Sequence, residues 1–481
     1  MSRPESPPVA GLRPSGPRTF HIRTFGCQMN EHDSERLAGA LVADGLVAAP
    51  DLESADVVVF NTCCIRENAD NKFYGHLGNL KELRERRPGM QIAVGGCLAQ
   101  MEPERIRQRA PHVDVVFGTH NLGRAPALLR KAASTGPVVE LDDDPLPGAG
   151  RGDGERAAAL AAVRDQPFAA WVTIQTGCDN SCAFCIVPSV RGRELSRRLE
   201  DLITEVRVLA GRGVTEVTLL GQNVNSYGRD LTRRRPLFAR LLRAVGEVDG
   251  IRRVRFTSPH PKDLRPDTIE AMAETGEVCN HLHLPLQSGS NAILAAMRRG
   301  YTAERYLGRL DDARRAIPDL AVTTDLIVGF PGESEEDFTA TLEVVAEAGY
   351  DSTYTFIFSP RPGTRAAAMT DRFVPAEVLA DRFERLRTVV ERSALARHRA
   401  RIGRLEEVVV EGPSKRDPSL VTGRTSQNKL VHFRPVGNHA PRAGSYADLR
   451  ITGAAPHHLT GELLQVTAPP SHRFRIPVAA G

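Results

Sequence analysis

The stretch that most constrains this chain is Gly177-Cys178-Asp179-Asn180-Ser181-Cys182-Ala183-Phe184-Cys185. It follows an apolar, strand-like run, Ala170-Trp171-Val172-Thr173-Ile174, and spaces three cysteines as C-x3-C-x2-C. Three soft thiolates in one short loop are ligands for a soft metal centre. No fourth cysteine lies nearby, so a four-iron cluster held here keeps one iron open to a substrate or cofactor. Two plainer readings stand beside it: packed core thiols, and a structural zinc site. Structural zinc generally uses C-x2-C pairs and closes with four ligands, and no second such pair occurs.

The rest of the composition sets bounds. A length of 481 residues is enough for roughly two or three domains. A net charge of +4 permits an RNA partner without demanding one. Eight cysteines with no secretory leader argue against a disulfide framework and for a reducing cytoplasm. Residues 1–18, rich in Pro, Ser, Gly and Arg, read as a disordered leader. No apolar run approaches the ~18 residues that span a bilayer.

Residues 19–137 alternate strand and helix. Strands are expected at Thr19–Phe25, Ala55–Phe60, Gln91–Val94 and Val113–Phe117, with a helix capped by Asp33 or Ser34 after the first. A helix over 67–87 follows the second strand, and another over 124–133 follows the fourth. This predicts a small parallel sheet with helices on its faces. Cys27, Cys63 and Cys97 each sit just past the carboxyl end of a different strand. Open α/β sheets build their sites on that edge, so topology gathers a second three-thiolate set, with three unrelated core cysteines as the alternative. Cys64 adjoins Cys63 and is left out of the set, because neighbours cannot easily point the same way. Residues 138–163, with their acidic and Gly/Arg-rich runs, read as a linker.

From 164 to 398 the strand-then-helix pattern recurs six times, which predicts a partial (β/α)6 barrel. Polar residues collect after its strands: Gln222, Asn223 and Asn225; then Thr257-Ser258-Pro259-His260; then Gln287 and Ser288. Each such cluster alone is most simply a turn. Their shared rim makes Gln222, Asn223 and Asn225 candidates to hydrogen-bond an amino group or ribose, and Gln287 and Ser288 candidates to face a nucleoside. Arg191, Arg193 and Arg197 could pair with a carboxylate or phosphates, or form a solvated basic stretch. After an amphipathic helix at Pro375–Arg401, residues 400–468 become short strands separated by Gly/Pro turns, which predicts a small all-β barrel. The tail at 469–481 reads as flexible, and Cys279 as a packed thiol.

Several of these segments carry a family resemblance. They are Gly26-Cys27-Gln28-Met29-Asn30 with Asp33-Ser34, Asn61-Thr62-Cys63 with Ile65-Arg66-Glu67-Asn68-Ala69, Gly95-Gly96-Cys97, the Cys178/Cys182/Cys185 loop, and Gly221-Gln222-Asn223-Val224-Asn225-Ser226-Tyr227. Phe256-Thr257-Ser258-Pro259-His260-Pro261, Pro285-Leu286-Gln287-Ser288-Gly289-Ser290 and Ser359-Pro360-Arg361-Pro362-Gly363-Thr364 complete them. Over essentially its whole length the chain resembles the methylthiotransferases, a branch of the radical S-adenosylmethionine (radical SAM) enzymes. Gln28-Met29-Asn30 and Gly423-Arg424-Thr425 to Asn428 are most similar to the tRNA branch acting on N6-(dimethylallyl)adenosine at position 37, beside the anticodon. Arg365 stands where the family often has proline.

The resemblance implies two [4Fe-4S] clusters and S-adenosylmethionine. Cys178, Cys182 and Cys185 would hold the cluster that binds S-adenosylmethionine, and Cys27, Cys63 and Cys97 an auxiliary cluster carrying the sulfur to be transferred. One S-adenosylmethionine would methylate that sulfur and a second would supply the radical that activates adenine C2. No side-chain base can activate that C–H bond, so no acid/base pair is nominated. The last domain resembles the RNA-binding TRAM barrel, with Lys415, Arg416, Arg424 and Lys429 as candidate phosphate contacts; a packing-only barrel is the alternative. The implied partners are a tRNA anticodon stem-loop and an electron donor such as flavodoxin or ferredoxin, with no membrane and a monomeric chain. Other targets of the same chemistry are a threonylcarbamoyl-adenosine in tRNA and a ribosomal-protein aspartate. A non-catalytic iron–sulfur RNA-binding protein and a zinc-stabilised binding module are the readings from other classes.

Overall fold

A computed structural model describes residues 17–64, 67–142, 161–232, 235–436 and 440–471. The expected leader up to 16, the Gly/Arg-rich run at 143–160, Ile65-Arg66 and the tail from 472 lie outside the described residues.

The amino-terminal region is a six-stranded parallel sheet, β1 (Thr19–Thr24), β2 (Val47–Ala48), β3 (Val57–Thr62), β4 (Gln91–Gly96), β5 (Val115–Phe117) and β6 (Val138–Glu140), in the order β2-β1-β3-β4-β5-β6. The period-two alternation of a strand sends Val58 and Phe60 to one face and Val57 and Val59 to the other. The first pair packs with Phe73, Leu77 and Leu80 of the helix Glu67–Arg86. The second packs with Leu37 and Leu41 of the helix Gln28–Ala43 and with Leu128 and Leu129 of the helix Ala125–Thr135. Helices on both faces explain why β3 reads as an unbroken apolar run.

Two expectations need correction here. The first helix begins at Gln28 with Cys27 in the capping position, so neither Asp33 nor Ser34 caps it. Both side chains are drawn elsewhere: Asp33 to Arg191 at 2.8 Å, and Ser34 Oγ to the Asn61 amide at 2.9 Å. The sheet also runs past residue 137, because β6 pairs with β5 in parallel as an edge strand.

The central region is a partial barrel of six strands. β7 (Ala169–Thr173), β10 (Glu216–Leu220) and β11 (Arg253–Phe256) form one parallel sheet in the order β11-β10-β7. β12 (His281–His283), β13 (Ala321–Val328) and β14 (Ser352–Ile357) form the other. A bridge between Val254 and Val278 joins the halves. Val172, Val217, Leu219, Val254, Leu282, Leu284, Val322 and Leu326 fill the interior. The loop after β7 carries two unpredicted pieces: a small hairpin, β8 (Gln175–Thr176) with β9 (Leu195–Ser196), and a one-turn helix, Val187–Arg191.

The helix Ala376–Arg399 leads to a closed barrel of β15 (Leu405–Pro413), β16 (Val421–Thr425), β17 (Leu430–Arg434), β18 (Tyr446–Ala454) and β19 (Leu459–Ala468), as expected. This barrel is fastened to the amino-terminal ends of the core strands. Phe168, just before β7, packs on Val409 and Tyr446. Arg253, which opens β11, and Arg255 within it donate to the carbonyls of Arg424 and Thr425 at 2.6 and 2.8 Å. Lys429 Nζ reaches Asp351, just before β14, at 2.6 Å. The small barrel and the Cys178 loop therefore occupy opposite ends of the core strands.

Candidate active site

The Cys178 loop is shaped by backbone. Gly177 has φ +74, and a Cβ there would stand 1.9 Å from the Arg193 carbonyl oxygen, so only glycine allows this approach. Cys178 N donates to Gly192 O at 3.1 Å and Ala183 N to Met297 O at 2.9 Å, which ties both ends of the loop to the barrel rim. Arg299, buried, donates from Nη1 to Cys182 Sγ at 3.3 Å, while its Nε is held by Tyr301 at 3.2 Å. Burial pushes the Cys178 thiol up and the Cys185 thiol up to about 12. A cationic metal group or a fixed guanidinium is what stabilises thiolates in such surroundings, and Arg299 is the guanidinium in place.

Arg299 also lines a cavity of ≈ 160 Å³ together with Gln222, Ser258, His260, Gln287 and Asp325. Burial holds His260 at about 2, so the ring is neutral. Its Nδ1 accepts from Lys262 N at 3.2 Å, which leaves the proton on Nε2. That Nε2, Gln222 Oε1 and Asn223 Oδ1 are buried with no hydrogen-bond partner among the described residues. Of these, His260 and Gln222 line the cavity, and orphaned buried polar atoms there await a polar occupant. Asp263, against its burial, is held at about 2 by hydrogen bonds from Lys262, Arg229 and Asn223. Nearby Glu194 is pushed up to about 7 by burial.

The expected cofactor residues divide. Gln222 and Gln287 line the cavity, and Asn223 offers a free carboxamide oxygen while its amide holds Asp263 at 2.8 Å. Asn225 is committed to the His260 backbone at both carboxamide ends, at 2.8 and 3.0 Å. Ser288 pairs with Thr341 at 3.2 Å. His260 lay in a polar cluster legible after its strand, whereas Arg299 carried no local signal: an arginine after a helix is commonplace, and only the fold brings it to the cysteine loop.

The second thiol set gathers at the carboxyl edge of the amino-terminal sheet. A Cβ on Gly26, φ +124, would stand 2.3 Å from Cys63 Cβ, so the Cys27 and Cys63 loops touch. Asn30, fully buried, binds them: its Nδ2 donates to Thr62 O at 2.8 Å, and Cys27 Sγ lies 3.4 Å from its Oδ1. A hydrogen bond with the Cys63 side chain, with Arg191 assisting against burial, holds the Cys27 thiol at about 6. A hydrogen bond with Cys64 lowers the Cys97 thiol and raises that of Cys64. Cys64, left out of the expected set, thus faces Cys97 and belongs to the same pocket. Among the described residues no group of three or more His, Cys, Asp or Glu side chains is gathered closely enough to hold a single metal ion. A zinc site needs its donors around one point, with Zn–S near ~2.3 Å. A four-iron group spreads its thiolates wider, and two sets of soft donors, each beside a buried arginine, fit it.

The one-turn helix Val187–Arg191 joins the two sets. It starts just after Cys185, packs Ile186 and Val190 against Cys64 and Cys97, and receives a bond from Thr119 Oγ1 to Val190 O at 2.8 Å. Arg191 ends it in the ion pair with Asp33. Arg197 instead pairs with buried Glu205 at 2.6 Å, and no ion pair is found for Arg193 among the described residues. In the small barrel, Lys415 and Arg416 are exposed on the loop between β15 and β16. Arg424 is held by Glu411 at 2.6 Å. Lys429 is 4% exposed against Asp351, and burial has removed it from the surface where a phosphate could reach it.

Residues 19–118 match the model of a family described as Uncharacterized protein family UPF0004, and residues 172–345 that of the Radical SAM superfamily. A Mycolicibacterium smegmatis protein called tRNA-2-methylthio-N(6)-dimethylallyladenosine synthase is 50% identical, over 96% of this chain and 91% of its own length. A protein of the same name from Acidothermus cellulolyticus is 52% identical over 95% and 90%. Among solved structures, the radical S-adenosylmethionine methyltransferase TsrM of Kitasatospora setae superposes with a TM-score of 0.53 over 73% of this chain and 75% of its own, at 13% identity, a likeness of fold alone. No helix among the described residues is long and apolar enough to cross a membrane.

Proposed function

The chain belongs to the family of tRNA-2-methylthio-N(6)-dimethylallyladenosine synthases within the radical SAM enzymes, and on that premise we propose how its own residues serve the reaction. It converts N6-(dimethylallyl)adenosine in tRNA to the 2-methylthio derivative, using S-adenosylmethionine and two [4Fe-4S] clusters. When bound, these groups supply one-electron chemistry and the sulfur that replaces the hydrogen on adenine C2, which no side-chain base could remove.

In this reading Cys178, Cys182 and Cys185 hold the cluster that takes S-adenosylmethionine, and Cys27, Cys63 and Cys97 hold the auxiliary one, with Cys64 bonded to Cys97 beside it. Arg299 donates to Cys182 Sγ and orients that side chain. Gln222, His260 and Gln287 bind and orient polar groups in the cavity beside it, and the free carboxamide oxygen of Asn223, next to Gln222 in the chain, adds a further acceptor. Asn225 and Ser288 position their loops. Lys415 and Arg416 hold RNA phosphate on the small barrel. An electron donor of the flavodoxin or ferredoxin type serves a monomeric chain.

The observation that carries the reading is the docking of Val187–Arg191, which turns two thiol sets distant in sequence toward one another. Two-site transfer requires that arrangement and a lone structural cluster does not. The test is anaerobic reconstitution with iron and sulfide, incubation with hypomodified tRNA, a reductant and S-adenosylmethionine, and mass analysis of the nucleosides. A methylthio gain on the dimethylallyl-adenosine is expected. A gain only on a threonylcarbamoyl-adenosine would transfer the chain to a sister activity, and no gain would end the reading.

A further inference from the structure

Arg191 is an unusual place for a charge. It is 7% exposed, lies between the two thiol sets, and is the last residue of the one-turn helix that bridges them. Burying a guanidinium is costly unless a partner compensates, and its partner is Asp33, Nη2 to Oδ2 at 2.8 Å, on the first helix of the amino-terminal sheet. The preceding residue, Val190, shares a buried cluster with Ile186, Cys64 and Cys97, which holds the Arg191 backbone against the amino-terminal thiol set, while the ion pair with Asp33 holds its guanidinium. A guanidinium keeps its charge in any protein environment, and the ion pair with Asp33 fixes where that charge sits.

We infer that Arg191 is a positioning residue that sets the reduction potential of the iron–sulfur group held by Cys27, Cys63 and Cys97, its buried positive charge opposed by the negative charge of Asp33. The inference rests on the ligand reading proposed above. Its physical basis is elementary. Adding an electron to an iron–sulfur group adds negative charge, so a fixed cation beside it favours the reduced form and a fixed anion the oxidised form. Removing Arg191 must lower the potential, and removing the Asp33 charge must raise it. Damage to the domain contact alone would move both variants the same way, or neither.

The experiment uses the full chain with Cys178→Ala, Cys182→Ala and Cys185→Ala together, so that iron bound after anaerobic reconstitution belongs to the amino-terminal set. Redox titration by electron paramagnetic resonance compares this parent with Arg191→Gln, Arg191→Lys and Asp33→Asn added to it. Expected are a more negative midpoint for Arg191→Gln, a midpoint near the parent for Arg191→Lys, and a more positive one for Asp33→Asn. Unshifted midpoints, or shifts of one sign in Arg191→Gln and Asp33→Asn, overturn the inference alone. A parent that binds no iron overturns the ligand reading beneath it. If Arg191→Gln does not fold, Asp33→Asn decides the matter: a positive shift sustains the inference, and none or a negative one ends it.

Discussion

Replacing Lys429 by methionine separates a structural lysine from an RNA contact. Its ammonium sits 2.6 Å from Asp351 Oδ1, and the side chains are 3% and 9% exposed. The other carboxylate oxygen accepts from Val322 N at 2.9 Å. Methionine fills much of the lysine volume but leaves the Asp351 carboxylate buried without its counter-charge. Breaking one side of a buried pair costs about 3–5 kcal/mol. At about 1.4 kcal/mol per tenfold, that moves the opening equilibrium of the joint between small barrel and core by roughly 100- to 3,000-fold. Native-state hydrogen exchange reads this as faster exchange of the β17 and β14 amides. Adding Asp351→Asn keeps an acceptor for Val322 N and removes the stranded charge, so the double variant should regain most of the loss. Wild-type exchange in Lys429→Met, together with a salt dependence of tRNA binding flatter by about one unit, would refute the argument and return Lys429 to the phosphate contacts.

Gly26→Ala forces a side chain onto a residue at φ +124 and onto Cys63, so it should abolish iron binding by the amino-terminal set while the Cys178 set keeps its own, read as iron per chain before and after adding the Cys178, Cys182 and Cys185 substitutions. Lys415→Ala and Arg416→Ala, on exposed side chains, should each weaken tRNA binding at low salt and flatten its salt dependence by about one unit, with stability unchanged. Burial holds the Glu35 carboxyl at about 7, against its ordinary 4.5, despite nearby Arg164. The folded chain therefore keeps a proton that the unfolded chain releases between those values. The contribution is full below the lower value and lost as pH rises to the higher one, so Glu35→Gln should flatten the decline of the urea midpoint across that window.

The fold was legible where one local rule sufficed. The six core strands follow from the strand-then-helix pattern that recurs from 164 to 398. β6 was not, because three residues at a sheet edge carry too little pattern to separate a strand from a linker. Asp33 and Ser34 look like caps because short polar side chains favour that role, yet Arg191 and Asn61, distant in sequence, claim them first. The cysteines were readable because each lies just past a strand, and parallel topology delivers strand ends to one edge. Arg299 and the partnering of Cys64 with Cys97 depend on three-dimensional neighbours. Lys429 failed as a surface residue for the same reason: its charge is visible in the sequence, and the aspartate that buries it is 78 positions away.

The central claim is that two separate cysteine sets each hold a four-iron group. Iron and sulfide counted on three reconstituted proteins test it most directly: the wild type, the variant with Cys27, Cys63 and Cys97 all replaced by alanine, and the variant with Cys178, Cys182 and Cys185 so replaced. The account predicts about eight irons for the first and about four for each of the others, with S-adenosylmethionine cleavage surviving only where Cys178, Cys182 and Cys185 remain. Full iron in either triple variant, no iron in both, or cleavage without Cys178, Cys182 and Cys185 would contradict it.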